Sequence, residues 1–147
     1  MPPINFYFPY RQFGLKRRKE LKLFIRSTFK AEKKNLASLQ YIFCADDYLL
    51  DINRQYLQHD YYTDIITFNL GTEKKIEGEI YISVERVKEN TQLMQTSFTE
   101  ELHRVIFHGV LHLCGHKDKL KNEKQDMRRK EDRLLQLYFN KNKHRST

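Results

Sequence analysis

His108-Gly109-Val110-Leu111-His112-Leu113-Cys114-Gly115-His116-Lys117-Asp118 is the stretch that decides how this chain is read. Two histidines stand four apart in an apolar run that stops at a glycine. Residues four apart share one face of an α-helix, so both imidazoles reach a common point. Gly115 suits the left-handed turn that ends a helix and lets the chain fold back. His116 and Asp118 follow on that return, and either one can supply a further donor. Three protein ligands and an open position make the arrangement of catalytic zinc sites.

The helix that carries this run has defined ends. Ser97 and Glu100 fit a capping box, and Glu100 and Glu101 place negative charge at the positive end of the helix dipole. Leu102, Val105, Ile106, Val110, Leu111 and Leu113 form a stripe broad enough for a buried helix. A single histidine in such a stripe is more often a hydrogen-bonded core residue than a ligand. The pair in register, followed by a stop and another donor, argues for a metal instead. Cys114 lies two residues past His112, roughly 200° round the helix, so it points away and reads as an ordinary buried cysteine. Zinc peptidases of the His-Glu-x-x-His type carry a glutamate base directly after the first histidine. Gly109 stands there in this chain, which argues against a peptidase and leaves space for a close neighbour or for substrate.

Composition narrows the partner. A chain of 147 residues fits one domain, and 39% hydrophobic with 13% aromatic residues is enough for a core. A mean hydropathy of -0.76 gives a very polar surface. No segment approaches the ~18 apolar residues of a membrane span. Residues 1–10 lack the basic start and apolar core of a signal peptide. Two cysteines make no disulfide framework, and a cytoplasmic location is the default expectation. The net charge of +8 is divided unevenly along the chain. Residues 1–34 hold ten basic and two acidic side chains, residues 35–116 hold six and twelve, and residues 117–147 hold eleven and five. Basic ends therefore flank an acidic middle that contains most of the candidate site. Such clusters attract phosphate backbones, though charged helix faces are often only solvated. Beside a hydrolytic metal site they point to a nuclease.

Hydrophobic periodicity predicts helices over 17–34, 46–55 (opened by a cap-like Asp46), 84–95 and 122–139, besides the metal helix. It predicts strands over 39–44, 63–69 and 78–83. The segment from Asn140 reads as a polar tail. Strands mixed with helices in one small domain predict an α+β fold, a mixed β-sheet covered by helices.

The 108–118 run resembles the His-Gly-x-Leu-His-Leu-x-Gly-Tyr-Asp-His signature of the bacterial YbeY family. Asn53 to Tyr56 and Thr63 to Phe68 resemble its NREY...TDVLSF block, and Gly78 to Ile82 resemble its GDIxI strand. Met127 through Glu131 and Asp132 resemble the segment after its metal motif. The resemblance covers nearly the whole chain. It implies a metal-dependent, single-strand-specific endoribonuclease of the cytoplasm. Such proteins act in 16S ribosomal RNA 3′-end processing, late small-subunit maturation and ribosome quality control. Ribosomal RNA and the 30S subunit are the implied partners, with protein partners unspecified. The implied fold resembles that of zinc-dependent proteases, with a zincin-like metal helix and usually one zinc per chain.

The chain departs from that pattern twice. The family's third histidine falls on Asp118, and its tyrosine falls on His116. Two ligand sets are open: His108, His112 and Asp118, or His108, His112 and His116. Register favours Asp118, and zinc accepts a carboxylate oxygen as it accepts an imidazole. A carboxylate would also move preference toward Mn²⁺. The second departure is Leu57, where the family usually carries an arginine thought to help with RNA. Arg54 and His59 are candidates to replace it, His116 and His59 are candidate proton-transfer groups, and no general base is assigned. Tyr61, Tyr62 and Phe68 are candidates to stack unpaired bases, with core packing the stronger expectation for Phe68. The rival expectation is a non-catalytic RNA-binding assembly factor in which the metal braces the fold.

Overall fold

The computed structural model describes the backbone of residues 1–145 and the side chains of residues 1–140. Its elements run β1 (Ile4–Tyr7), α1 (Arg18–Ala31), β2 (Leu36–Cys44), α2 (Asp46–Leu57), β3 (Ile65–Asn69), β4 (Ile76–Ser83), α3 (Val84–Met94), α4 (Phe98–Leu113) and α5 (Lys121–Arg145). The strands form one sheet in the order β1-β2-β4-β3. β1, β2 and β4 are parallel, and β3 runs antiparallel along β4 as an edge strand. The fold is α+β with a mixed sheet, as the sequence pattern predicts.

Alternation along the strands divides the core between the two faces of the sheet. On one face Leu39, Tyr41, Phe43, Ile80 and Ile82 pack with Leu21, Ile25 and Phe29 of α1, Ile106 and Val110 of α4, and Leu135 and Tyr138 of α5. On the other, Ile66 and Cys44 pack with Leu49 and Ile52 of α2. The neighbours Ile65 and Ile66 of β3 therefore serve opposite cores. The Tyr41 hydroxyl, fully buried, donates to the Ile106 carbonyl at 3.0 Å and ties the central strand to α4.

α4 lies unusually close to the sheet. A Cβ on Gly109 would stand 2.7 Å from Ile80 Cδ1 and 3.2 Å from Ile65 Cδ1. One on Gly78 would meet Leu113 and Leu39. The space at Gly109 is thus taken by the sheet. This approach seats α4 closely over β3 and β4, with His108 and His112 half-buried at the margin of the packed face.

Several predicted details change. β1 was not expected: its four residues gain strand character from parallel pairing with β2, which the short N-terminal pattern does not reveal. α1 stops at Ala31 rather than running to Lys34, because Lys33 turns left-handed at φ 58°. The N-cap of α2 is Ala45, not Asp46, and no side chain caps it. The Asp46 carboxylate instead accepts from the Ser83 hydroxyl at 3.0 Å and pairs with Arg86 at 2.6 Å, while Glu85 accepts from the Asp46 N–H at 2.8 Å. α5 is helical to Arg145, past the expected start of the tail at Asn140; the side chains of residues 141–147 lie outside the described residues.

Candidate metal centre and cleft

α4 begins at the expected N-cap, with the Ser97 hydroxyl accepting from the Glu100 N–H at 3.0 Å, but the Glu100 carboxylate accepts from the Thr96 hydroxyl instead of closing the capping box. It ends at Leu113 with Cys114 as C-cap, and Gly115 follows at φ 98°. That left-handed residue turns the chain back so that Asp118 faces the helix it has just left. His108 Nε2 is 3.3 Å and His112 Nε2 is 3.2 Å from the same oxygen, Asp118 Oδ2. The three donor atoms all lie within 4.8 Å of one another. The two imidazoles stand nearly perpendicular, 79° apart with ring centres at 4.5 Å.

The spacing fits an ion. Ligands about 2.0–2.2 Å from zinc in a tetrahedron lie roughly 3.3–3.5 Å from each other. A direct charge-assisted hydrogen bond would be shorter, about 2.7–2.9 Å. Two nitrogens set against one carboxylate oxygen at 3.2 and 3.3 Å match two such ligand edges, and the third lies within 4.8 Å.

Behind the three donors lies a buried carboxylate. Glu131 of α5, 5% exposed, accepts from His108 Nδ1 at 2.6 Å through one oxygen and from Arg104 at 3.1 Å through the other. Arg104 is itself anchored to Asp132 at 2.7 Å. Nδ1 thus carries the proton and Nε2 is left to face the cleft, the outer bond that orients a ligating histidine. Burial alone would lower the His108 pKa, but Glu131, Asp118 and Asp64 together raise it above its ordinary value. Asp64, just before β3, is pushed up by burial against the opposing pull of His108, and accepts from Asn90 at 3.2 Å. Both cysteines are buried and unbridged, and burial pushes each thiol up to about 12. Cys114 stands outside the cluster, as expected.

A cleft of about 770 Å³ opens beside the three donors. Its lining includes His108, His112, Asp118 and Lys119, then Asp64, Ile65, Thr67 and Asn69 around β3, and the exposed His59 and Tyr61 with buried Asn53 beneath them. Of the candidates from the sequence, His59 and Tyr61 are therefore at the cleft. His116 Nε2 bonds to Glu32 beyond the end of α1 at 2.6 Å, docking the return loop on α1. Arg54 pairs on the surface with Asp60 and Asp51. Tyr62 lies under the Arg86 guanidinium and donates to Asp47, while Phe68 packs edge-on to Tyr56 and Tyr81. Neither of these two rings lines the cleft.

Sequence reading quotes Asp64 and Glu131 within blocks that resemble the family but gives them no role at the site, and it passes over Arg104. A signal for Glu131 existed. It falls on the apolar line of α5, in register between Met127 and Leu135, where a carboxylate is out of place unless it meets a partner.

Two imidazoles and a carboxylate converge on an open cleft over a helix-covered mixed sheet, which makes this a small α+β protein with a candidate metal-binding triad. The sequence profile described as Endoribonuclease YbeY matches residues 12–138. A protein named Endoribonuclease YbeY from Cytophaga hutchinsonii is 50% identical over 91% of this chain and 94% of its own. One of the same name from Christiangramia forsetii is 45% identical over 92% and 94%. The solution structure of a Thermotoga maritima protein superposes with a TM-score of 0.62 at 23% identity, covering 97% of this chain and 93% of that one, and so shares the fold. The chain belongs to the YbeY endoribonuclease family.

Proposed function

We propose that this chain is a metal-dependent, single-strand-specific endoribonuclease. Its proposed work is 3′-end processing of 16S ribosomal RNA in late maturation and quality control of the 30S subunit, in the cytoplasm. The observation that carries the reading is the convergence of His108, His112 and Asp118 at the wall of an open cleft in a chain of this family. Among the described residues no helix is long and apolar enough to cross a membrane.

His108 Nε2, His112 Nε2 and Asp118 would hold the ion, with zinc favoured by the two nitrogens and Mn²⁺ admitted by the carboxylate. When bound, zinc supplies Lewis acidity and a more acidic water. The remaining roles belong to the protein. Glu131 keeps the His108 ring turned and Nδ1 protonated. Lys119 on the cleft wall, with lysines and arginines of the basic ends, holds flanking phosphates. His59 engages the Tyr61 hydroxyl through Nδ1 at 3.0 Å. With Tyr61 donating to Nδ1, the neutral His59 ring carries its N–H on Nε2 and can donate a hydrogen bond to a phosphate oxygen from there. The Gly109 position, filled by Ile80 and Ile65, offers no general base for peptide hydrolysis.

The test is turnover. Purified protein free of contaminating ribonuclease is given single-stranded and duplex RNA, with and without a chelator. The expected result is cutting of single strands only, lost with chelator and restored by zinc. Unfolding by chelator with no cutting under any condition supports the alternative, an RNA-binding assembly factor braced by its metal.

A further inference from the structure

We infer that Tyr61, backed by His59, forms a stacking subsite for one unpaired nucleobase at the rim of the cleft; the inference rests on the RNA-cleaving reading of that cleft. The two rings are stacked, with centres 5.1 Å apart and planes 20° apart. The Tyr61 hydroxyl and His59 Nδ1 join them at 3.0 Å. Tyr61 is nonetheless 56% exposed, so the pair buries little and contributes little to the core. The loop that carries it is held firmly. Asn53, 1% exposed, donates from Nδ2 to the Tyr61 carbonyl at 2.9 Å and accepts the His59 N–H on its own carbonyl at 3.0 Å. Gln58 makes the left-handed turn into the loop, and Arg54 pairs with Asp60 across it.

A buried side chain spent on fixing an exposed aromatic pair is the construction of a preorganised platform. Its position says what lands there. The pair lines the same cleft as His108, His112 and Asp118, so a nucleotide whose phosphate reaches those donors has its neighbouring base at the rim. With ring centres 5.1 Å apart the imidazole stands offset beside the tyrosine and leaves much of that ring exposed. Stacking on an aromatic ring accepts any base but requires that the base be unpaired. The platform therefore gives a physical basis for preferring single strands.

The test uses the full zinc-loaded chain and a short 2′-O-methyl RNA carrying 2-aminopurine, with probe integrity checked on a gel. Binding is expected to quench the 2-aminopurine at one register. Tyr61→Ala is expected to abolish the quench and weaken binding at least fivefold, while Tyr61→Phe keeps both. To separate loss of stacking from disturbance of the loop in Tyr61→Ala, a second arm uses unaltered protein and a probe with an abasic site at that register. That probe is expected to bind as weakly to unaltered protein as the intact probe binds to Tyr61→Ala. Equal binding of intact and abasic probes, or an undiminished quench with Tyr61→Ala, overturns the subsite. Stacking without any cutting of natural RNA leaves the subsite and removes the enzymatic reading; cutting with no response at Tyr61 does the reverse.

Discussion

His103 and His108 sit five residues apart on α4, about 140° round the same helix, and their surroundings drive them in opposite directions. His103 is 7% exposed and donates from Nδ1 to the Thr99 carbonyl at 2.7 Å. Its ring lies among Phe107, Tyr138 and Phe139, and burial lowers its pKa despite that carbonyl. His108 is only half-buried, and although its burial lowers its pKa, the carboxylates of Glu131, Asp118 and Asp64 outweigh that and raise it. One histidine is a core residue that must stay neutral. The other is an aligned donor at a cleft wall. Both lie on one helix, His103 buried and His108 partly open to the cleft; the shell around each, aromatic for one and carboxylate for the other, sets the direction of its shift.

The comparison breaks most visibly if the cleft pair is not a ligand pair. His112→Ala is expected to lose both retained zinc and RNA cleavage, by elemental analysis and gel assay, while His103→Phe keeps both. Undiminished cutting by a metal-free His112→Ala protein would remove the proposed mechanism. Next in size is the carboxylate behind His108. Glu131→Gln is expected to weaken zinc binding by about 10–100-fold in competition with a chelator. Glu131→Ala should add a loss of stability of roughly 3 kcal/mol in denaturant unfolding, since Arg104 then stays buried with Asp132 alone. An unchanged zinc affinity in Glu131→Gln would show that the second carboxylate does not act through His108.

Smaller effects sharpen the contrast. Gly109→Ala pushes a methyl into Ile80 and Ile65 and is expected to cost about 1–3 kcal/mol, read as a lower melting temperature. No change there would mean that α4 has room to lift from the sheet. His103 gives the smallest effect, a pH slope. Its folded pKa is lowered, so the unfolded chain takes up a proton first as pH falls. This stability is present above about pH 6.5, falls as pH drops through that value, and levels off below the folded pKa. His103→Phe is expected to flatten that component in urea unfolding across the same range. An identical slope in the variant would assign the acid sensitivity elsewhere.

The sequence makes α4 and the return loop legible because every cue there is local. The cap, the stripe, the histidine spacing and the glycine stop lie within a few residues of one another. Asp118 is reachable by the same logic, since its approach depends on one turn at Gly115. Glu131 is not, because its role appears only once α5 is laid against α4, 23 positions away from His108. β1 is hidden for a similar reason: a four-residue strand is specified by its partner. The α2 cap misleads because Asp46 finds a stronger long-range claim in Arg86 and Ser83 than in its own helix. His116 reads as a donor by proximity, and only the fold reveals Glu32 waiting beyond α1.

The placement of Glu131 on α5 has a consequence for how the molecule is made. During synthesis α5 leaves the ribosome after every other described element, so His108 and His112 are exposed to solvent while its packing surface is still missing. Until α5 docks, the His108 ring is free to rotate and the Arg104 guanidinium lacks its partner. The bond that orients His108 therefore forms only once a residue 23 positions downstream has been added and its helix packed.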